Sequence, residues 1–179
     1  MESKKIRLTV LTGVFAAMIF VATAYLHVNT NAGYTHFGDS ILFIASSLLP
    51  SPYAAAAGAI GAGLADLVSM PIWTPATIII KAVTAFFFSS KKETIINKRN
   101  ILSLLPSLLL CIIGYSLYEA VIMTGGLNTA SIVKAFASTP AYCVQIGGSS
   151  AIYLIAGKAL DKISIKKHLM QTADITSAK

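Results

Sequence analysis

Charge is what this 179-residue sequence has least of: 12% of its residues are Asp, Glu, Lys or Arg, against 55% hydrophobic ones. A water-soluble domain of this size has no use for so much apolar surface, so the composition points to an integral membrane protein. Cysteine is nearly absent. Cys111 and Cys143 both fall within apolar stretches, which argues against an exported disulfide framework and for buried small hydrophobes. Catalytic patterns are missing too. The glycines at 58–63 lack the Lys-Ser/Thr that a phosphate-cradling loop needs, and there is no nucleophile elbow and no paired acidic motif for metal-dependent lipid chemistry. No His/Cys/carboxylate spacing resembles a zinc site, so neither a metal nor a cofactor is expected. With so little soluble mass there is no room for a nucleotide-binding domain, and any ATP-driven engine belongs on another chain.

What is present is apolar runs. A membrane-spanning helix needs about 20 mostly apolar residues. The runs predict an all-α, single-domain membrane protein over 1–179, with six transmembrane helices at about 8–27, 38–49, 53–68, 72–89, 101–123 and 140–160. The first is too long for a signal-peptide core and lacks a cleavage site, so it reads as a retained helix. Pro50-Ser51-Pro52 predicts a tight turn. The run 54–65, almost all Ala and Gly, predicts a central helix that neighbours approach closely. Pro71 and Pro75 suit a short loop and the first turn of the fourth span.

The net charge of +7 invites a nucleic-acid reading, but the positions oppose it. Lys4, Lys5 and Arg7 precede the first span; Lys91, Lys92, Lys98 and Arg99 fill the central polar break; Lys158, Lys162, Lys166 and Lys167 follow the last. Flanking cations of this kind fix orientation, with Lys and Arg on the cytoplasmic side. Four spans, then two, put all three clusters on one side, so both termini are expected in the cytoplasm and residues 28–37 outside.

A charge at membrane depth costs at least a few kcal/mol, so Asp39, Asp66, Lys81 and Glu119 each need a reason. Lys81 lies ~12 Å along its helix from Trp73, and all four belong to the outer half. Trp73, Thr77 and Lys81 form one stripe at every fourth residue; Tyr115 with Glu119 and Gln145 with Ser149 form two more. Between the first two spans lies Gly33-Tyr34-Thr35-His36-Phe37-Gly38-Asp39-Ser40. One reading is structural: Lys81 pairs with Glu119 or Asp66, the aromatics anchor the interface, and Asp39 caps the second helix. The other is a solvated pocket with an aromatic and hydrogen-bonding lining, suited to a small heterocyclic ligand.

Three of these segments resemble a known family. Gly33 to Ser40, the small-residue run ending Leu64-Ala65-Asp66-Leu67, and Thr74-Pro75-Ala76-Thr77-Ile78-Ile79-Ile80-Lys81 are similar to the S components of energy-coupling factor (ECF) vitamin transporters, of the riboflavin-type or hydroxymethylpyrimidine/pyridoxine-type subgroup. The motifs span about residues 33–81; the second half matches in hydropathy and layout. The resemblance implies a multi-pass subunit of the prokaryotic cell membrane that captures a vitamin from outside. A transmembrane coupling (T) subunit and two cytoplasmic ATPases would drive it to tip over and release the vitamin inside. It also implies docking on the T subunit through small residues of the first helix, here Thr12–Ala16 and Gly13–Ala17 where the family has alanines four apart. For the vitamin it implies hydroxymethylpyrimidine or a B6 form, with riboflavin as the alternative: Trp73 and Tyr34 stacking on the ring, and Asp39, Asp66, Glu119, His36 and Gln145 meeting its nitrogens and hydroxyls. Lys81 would meet an anionic or hydroxyl group or neutralise a carboxylate. A membrane enzyme or an assembly subunit is the alternative from outside the family.

Overall fold

The first helix, α1 (Glu2–Tyr25), starts six residues before the apolar run does. Hydropathy marks where lipid begins, whereas helix formation continues through the polar lead, which has Glu2 in its first turn where the helix dipole favours an anion. The computed structural model describes residues 2–29, 34–123, 126 and 128–169. Gly33 and the loop residues Thr30, Asn31, Thr124, Gly125 and Leu127 lie outside these. After α1 the chain is not purely helical: β1 (His27–Asn29) and β2 (Tyr34–His36) pair antiparallel, with Val28 opposite Thr35. The β-branched and aromatic residues of the two strands suit a ladder, which corrects the all-α expectation locally.

The remaining elements are α2 (Gly38–Leu48), α3 (Ser51–Ser69), a 3-10 turn (Pro71–Trp73), α4 (Thr74–Phe87), α5 (Lys98–Leu102), α6 (Leu104–Tyr118), a π-helical turn (Glu119–Met123), α7 (Thr129–Phe136) and α8 (Thr139–Lys162). Three stretches are long and apolar enough to cross a membrane: Glu2–Tyr25, Lys98–Ile122 and Thr129–Lys162. Helix α2, at 11 residues, is only ~16 Å long. It can be this short because almost all of it is buried in protein, so lipid thickness does not set its length. The amphipathic stretch after Asn128 is α7, and the Asn128 side chain accepts the Ser131 N–H at 2.9 Å as an N-cap.

Helix α3 lies along both α1 and α4, and its glycines explain how. A Cβ at Gly61 would collide with the Ala16 carbonyl of α1, one at Gly58 would come within 2.7 Å of Leu42 on α2, and one at Gly63 within 2.7 Å of Ile78 on α4. Small residues thus admit a different neighbour on each of three sides. Ile60, Leu64 and Leu67 form the remaining exposed strip. The same contact divides the first helix's small residues: Thr12 and Ala16 are buried, while Gly13 and Ala17 stay exposed.

At the end opposite the hairpin, the non-helical segment 88–97 is fixed by buried polar groups that have no periodic signature in the sequence. Asn100, fully buried, donates through Nδ2 to Ser47 Oγ (3.1 Å), the Ser89 carbonyl (3.1 Å) and the Ile95 carbonyl (3.0 Å), and accepts the Ser89 N–H at 2.9 Å. Tyr153 donates to the Ile95 carbonyl at 3.1 Å and sits 2.9 Å from Ser47 Oγ. Asp161 accepts the N–H groups of Ile95 and Ile96, and Lys166 donates to the Ser47 carbonyl at 2.8 Å and to that of Lys92. Burial lowers the Lys166 amine below its ordinary value, with Asp161 opposing. These bonds supply partners to buried groups of an irregular segment that has no helical or strand ladder of its own. Asn100→Leu strands several of them, each orphan costing about 1–3 kcal/mol. The variant is expected to unfold several degrees lower in detergent, as followed by circular dichroism.

Candidate ligand-binding site

At the hairpin end, six elements converge on one cleft. The hairpin contributes Tyr34 and His36, α3 contributes Asp66, the 3-10 turn and α4 contribute Trp73 and Thr77, and α6 and α8 contribute Tyr115 and Gln145. The cleft encloses about 470 Å³ of empty space, a figure that includes its open mouth.

The hairpin is tied down on both sides. Tyr34 donates its phenol proton to Asp66 Oδ1, and Thr35 Oγ1 donates to the Ala141 carbonyl at 3.3 Å. Phe37 rests on Gly148, where a Cβ would lie 2.9 Å from its ring. Burial, reinforced by the Asp66 carboxylate, raises the Tyr34 phenol above its ordinary value and keeps it a donor. His36 is buried, which lowers its pKa to about 4 against the pull of Asp39, with the Lys81 and His27 charges lowering it further. Its Nδ1 accepts the Gly38 N–H at 3.2 Å, so the neutral ring carries its proton on Nε2. Here His36 caps the start of α2, one of the roles expected of Asp39.

Asp39 makes no cap bond. It is buried with Lys81 behind the cleft, with Nζ 2.7 Å from Oδ1 and 2.9 Å from Oδ2. Gln145 donates to the same Oδ2 at 2.7 Å. This overturns the pairing of Lys81 with Glu119 or Asp66: Asp39 and Lys81 point at each other from α2 and α4. The pair forms the floor, and Gln145 is the member that lines the cleft.

The walls are aromatic. Trp73 meets Tyr115 edge-on with centroids 5.7 Å apart, and Tyr115 stacks on Tyr142 at 5.6 Å and 23°. Tyr118 holds the 3-10 turn by donating to the Ile72 carbonyl at 2.6 Å, and Thr77 Oγ1 lies 2.9 Å from the Tyr115 hydroxyl. Trp73 is buried at 7% exposure, which a headgroup-level anchor would not be.

Of the ten residues expected at a site, seven line the cleft: Tyr34, His36, Asp66, Trp73, Thr77, Tyr115 and Gln145. Asp39 and Lys81 lie beneath it. Glu119 stands outside the lining, accepting from Ser138 Oγ at 3.2 Å. Ser149, one turn beyond Gln145, is buried with its Oγ unpartnered. Ser138, Ala141 and Tyr142 line the cleft and were missed by the sequence reading. Their signal was there: Ser138, Tyr142, Gln145 and Ser149 recur at helical spacing, so the stripe begins two turns earlier than Gln145. Among the described residues no His/Cys/Asp/Glu group could hold a metal ion.

Comparison with known proteins gives one family match: a model described as ECF-type riboflavin transporter, S component, matches residues 3–162. No curated protein matches the chain.

Two outcomes are expected from this geometry. Unfolded chain binds a proton at His36 below its ordinary pKa of 6.5, while the folded chain does so only near about 4; stability should therefore fall as pH drops through that window. In His36→Asn, whose side-chain oxygen can still accept the Gly38 N–H, melting temperature against pH should be flatter there. Lys81→Met alone leaves a buried carboxylate without its cation, at about 3–5 kcal/mol. Asp39→Asn combined with Lys81→Met should recover much of that in a double-mutant thermal-melt cycle.

Proposed function

The chain belongs to the family of ECF-type riboflavin transporter S components, and from that premise we propose that it is the substrate-capture subunit of a vitamin importer, with the cleft under the hairpin as its site. The observation that carries this reading is the cleft itself: aromatic walls from Trp73, Tyr115 and Tyr142, with Tyr34, His36, Asp66, Thr77 and Gln145 supplying donors and acceptors. That mixture fits a flat nitrogen heterocycle, whose faces stack on rings and whose edge exchanges hydrogen bonds. His36 Nε2–H and the Asp66 carboxylate offer opposite polarities to such an edge. The Asp39–Lys81 pair would hold Gln145 in place rather than touch the vitamin.

Riboflavin is the first candidate because the family match carries that description. Hydroxymethylpyrimidine or a pyridoxine-like vitamer is the second, a smaller ring for the same aromatic and hydrogen-bonding lining.

The remaining assignments follow the same premise. Six spans with both ends cytoplasmic fit the basic clusters: the C-terminal end of α8 and segment 88–97 meet through Asp161 and Lys166, and α1 begins at the end away from the hairpin it feeds. The hairpin mouth then faces outside a prokaryotic cell. Docking on the T subunit falls to Gly13 and Ala17, because Thr12 and Ala16 are already packed inside. ATP hydrolysis belongs to two partner ATPases, with tipping of the whole subunit as the transport step.

The test is equilibrium binding by the purified full chain to a panel containing riboflavin, hydroxymethylpyrimidine and pyridoxine, with ATPase activity assayed alongside. One panel member should bind stoichiometrically and lose about tenfold or more in affinity in Trp73→Ala, with no ATP hydrolysis. A folded chain that binds none of the panel would reject the capture reading.

A further inference from the structure

A second cavity lies at the opposite end of the molecule, between the end of α4, the segment before α5 and the start of α6. It is open and encloses about 1,000 Å³ of empty space, lined by Lys92, Asn97, Lys98 and Arg99 on its polar side and by Phe87, Leu102 and Pro106 on its apolar side. The lining thus combines cationic and apolar residues, with Ser103 completing it.

The cations are uncommitted. Among the described residues, ion pairs join Lys81 to Asp39 and Lys167 to Glu93; none involves the side chains of Lys92, Lys98 or Arg99. Three like charges around one groove repel one another unless an anion sits among them. The backbone beneath them is held rigidly, since the Lys92 carbonyl accepts from Lys166 and Ser103 Oγ donates to the Phe87 carbonyl at 2.7 Å. The fold therefore sets the backbone from which these three exposed cations project.

The apolar side does not end at the groove. Leu102, Leu105, Leu109, Ile113 and Leu117 are all exposed, by 44–62%, and their spacing of three or four residues sets them on one helical face. From Leu102 to Leu117 this strip runs ~22 Å, longer than the roughly 15 Å that one leaflet's acyl chains occupy in a bilayer core about 30 Å thick.

We propose that this groove is a binding site for an anionic phospholipid, its phosphate held by Lys92, Lys98 and Arg99 and one acyl chain lying along the Leu102–Leu117 strip. Charge complementarity selects an anionic headgroup. The contiguous apolar strip selects a lipid over a free anion or an acidic protein segment, neither of which would use it. The site is separate from the vitamin cleft and does not depend on which vitamin is carried.

Native mass spectrometry of the purified full chain, released from nanodiscs containing equal phosphatidylglycerol and phosphatidylcholine, tests this. Phosphatidylglycerol should be retained preferentially, with the preference falling about fivefold for each cation removed in Lys98→Gln and Arg99→Gln and kept in Lys98→Arg. Leu105→Asn, at an exposed site that leaves all three cations in place, should weaken retention of both lipids. Equal retention of the two lipids, or a preference indifferent to the charge variants, would overturn the proposal. So would displacement by inorganic phosphate at millimolar concentration with no effect of Leu105→Asn, which assigns the groove to a free anion. Expulsion of the lipid on assembly with the T subunit would assign it to a protein surface and overturn it as well.

Discussion

The contact between Asp39 and Lys81 is the constraint on which the upper half of the molecule depends. Two ions out of water contribute little net stability, because desolvation offsets most of their attraction. Their effect is selective instead: any packing that separates them leaves a charge stranded at membrane depth. With Gln145 as a third member, the pair fixes α2, α4 and α8 relative to one another and closes the bottom of the cleft. The neutral His36, by capping α2 through its first N–H, keeps Asp39 aimed inward.

Above that floor, the hairpin serves as a roof, held among the described residues by hydrogen bonds to α3 and α8 and by Phe37 packed on Gly148. Its strands meet α3 through Tyr34 and α8 through Thr35, and each of those contacts is one hydrogen bond. The aromatic walls belong to helices and are held by packing. The cleft thus combines an ion-paired floor and helical walls with a cover from a separate element.

Much of this was legible in the sequence. The order of the helices, the closeness permitted by the Ala and Gly run, and the convergence of polar stripes on one membrane half all follow from spacing and composition, which are local properties. What stayed hidden depends on partners distant in the chain. That Lys81 chooses Asp39 over Asp66 or Glu119 turns on rotations of helices that periodicity leaves free. The buried knot around Asn100 has no signature, because a single Asn in a basic, polar break looks like solvated loop. The strands at 27–29 and 34–36 are too short for an alternation pattern to register. The short α2 could be read as a span, but not as a helix sheltered from lipid.

One feature of α2 bears on how the protein is made. The helix carries a carboxylate and three serines and is only 11 residues long. Its cation lies 42 residues further along the chain, and its amide and tyrosine partners 106 residues further. A ribosome delivers these in order, so α2 emerges well before anything can neutralise Asp39. Its stable entry into the bilayer must wait for α4, and the structure becomes complete only when α8 arrives. Translation halted between those two points would leave Asp39 paired, but Gln145 and Tyr153 still unmade. Membrane quality control would then meet a bundle with α8's place vacant, its inner polar surface facing lipid.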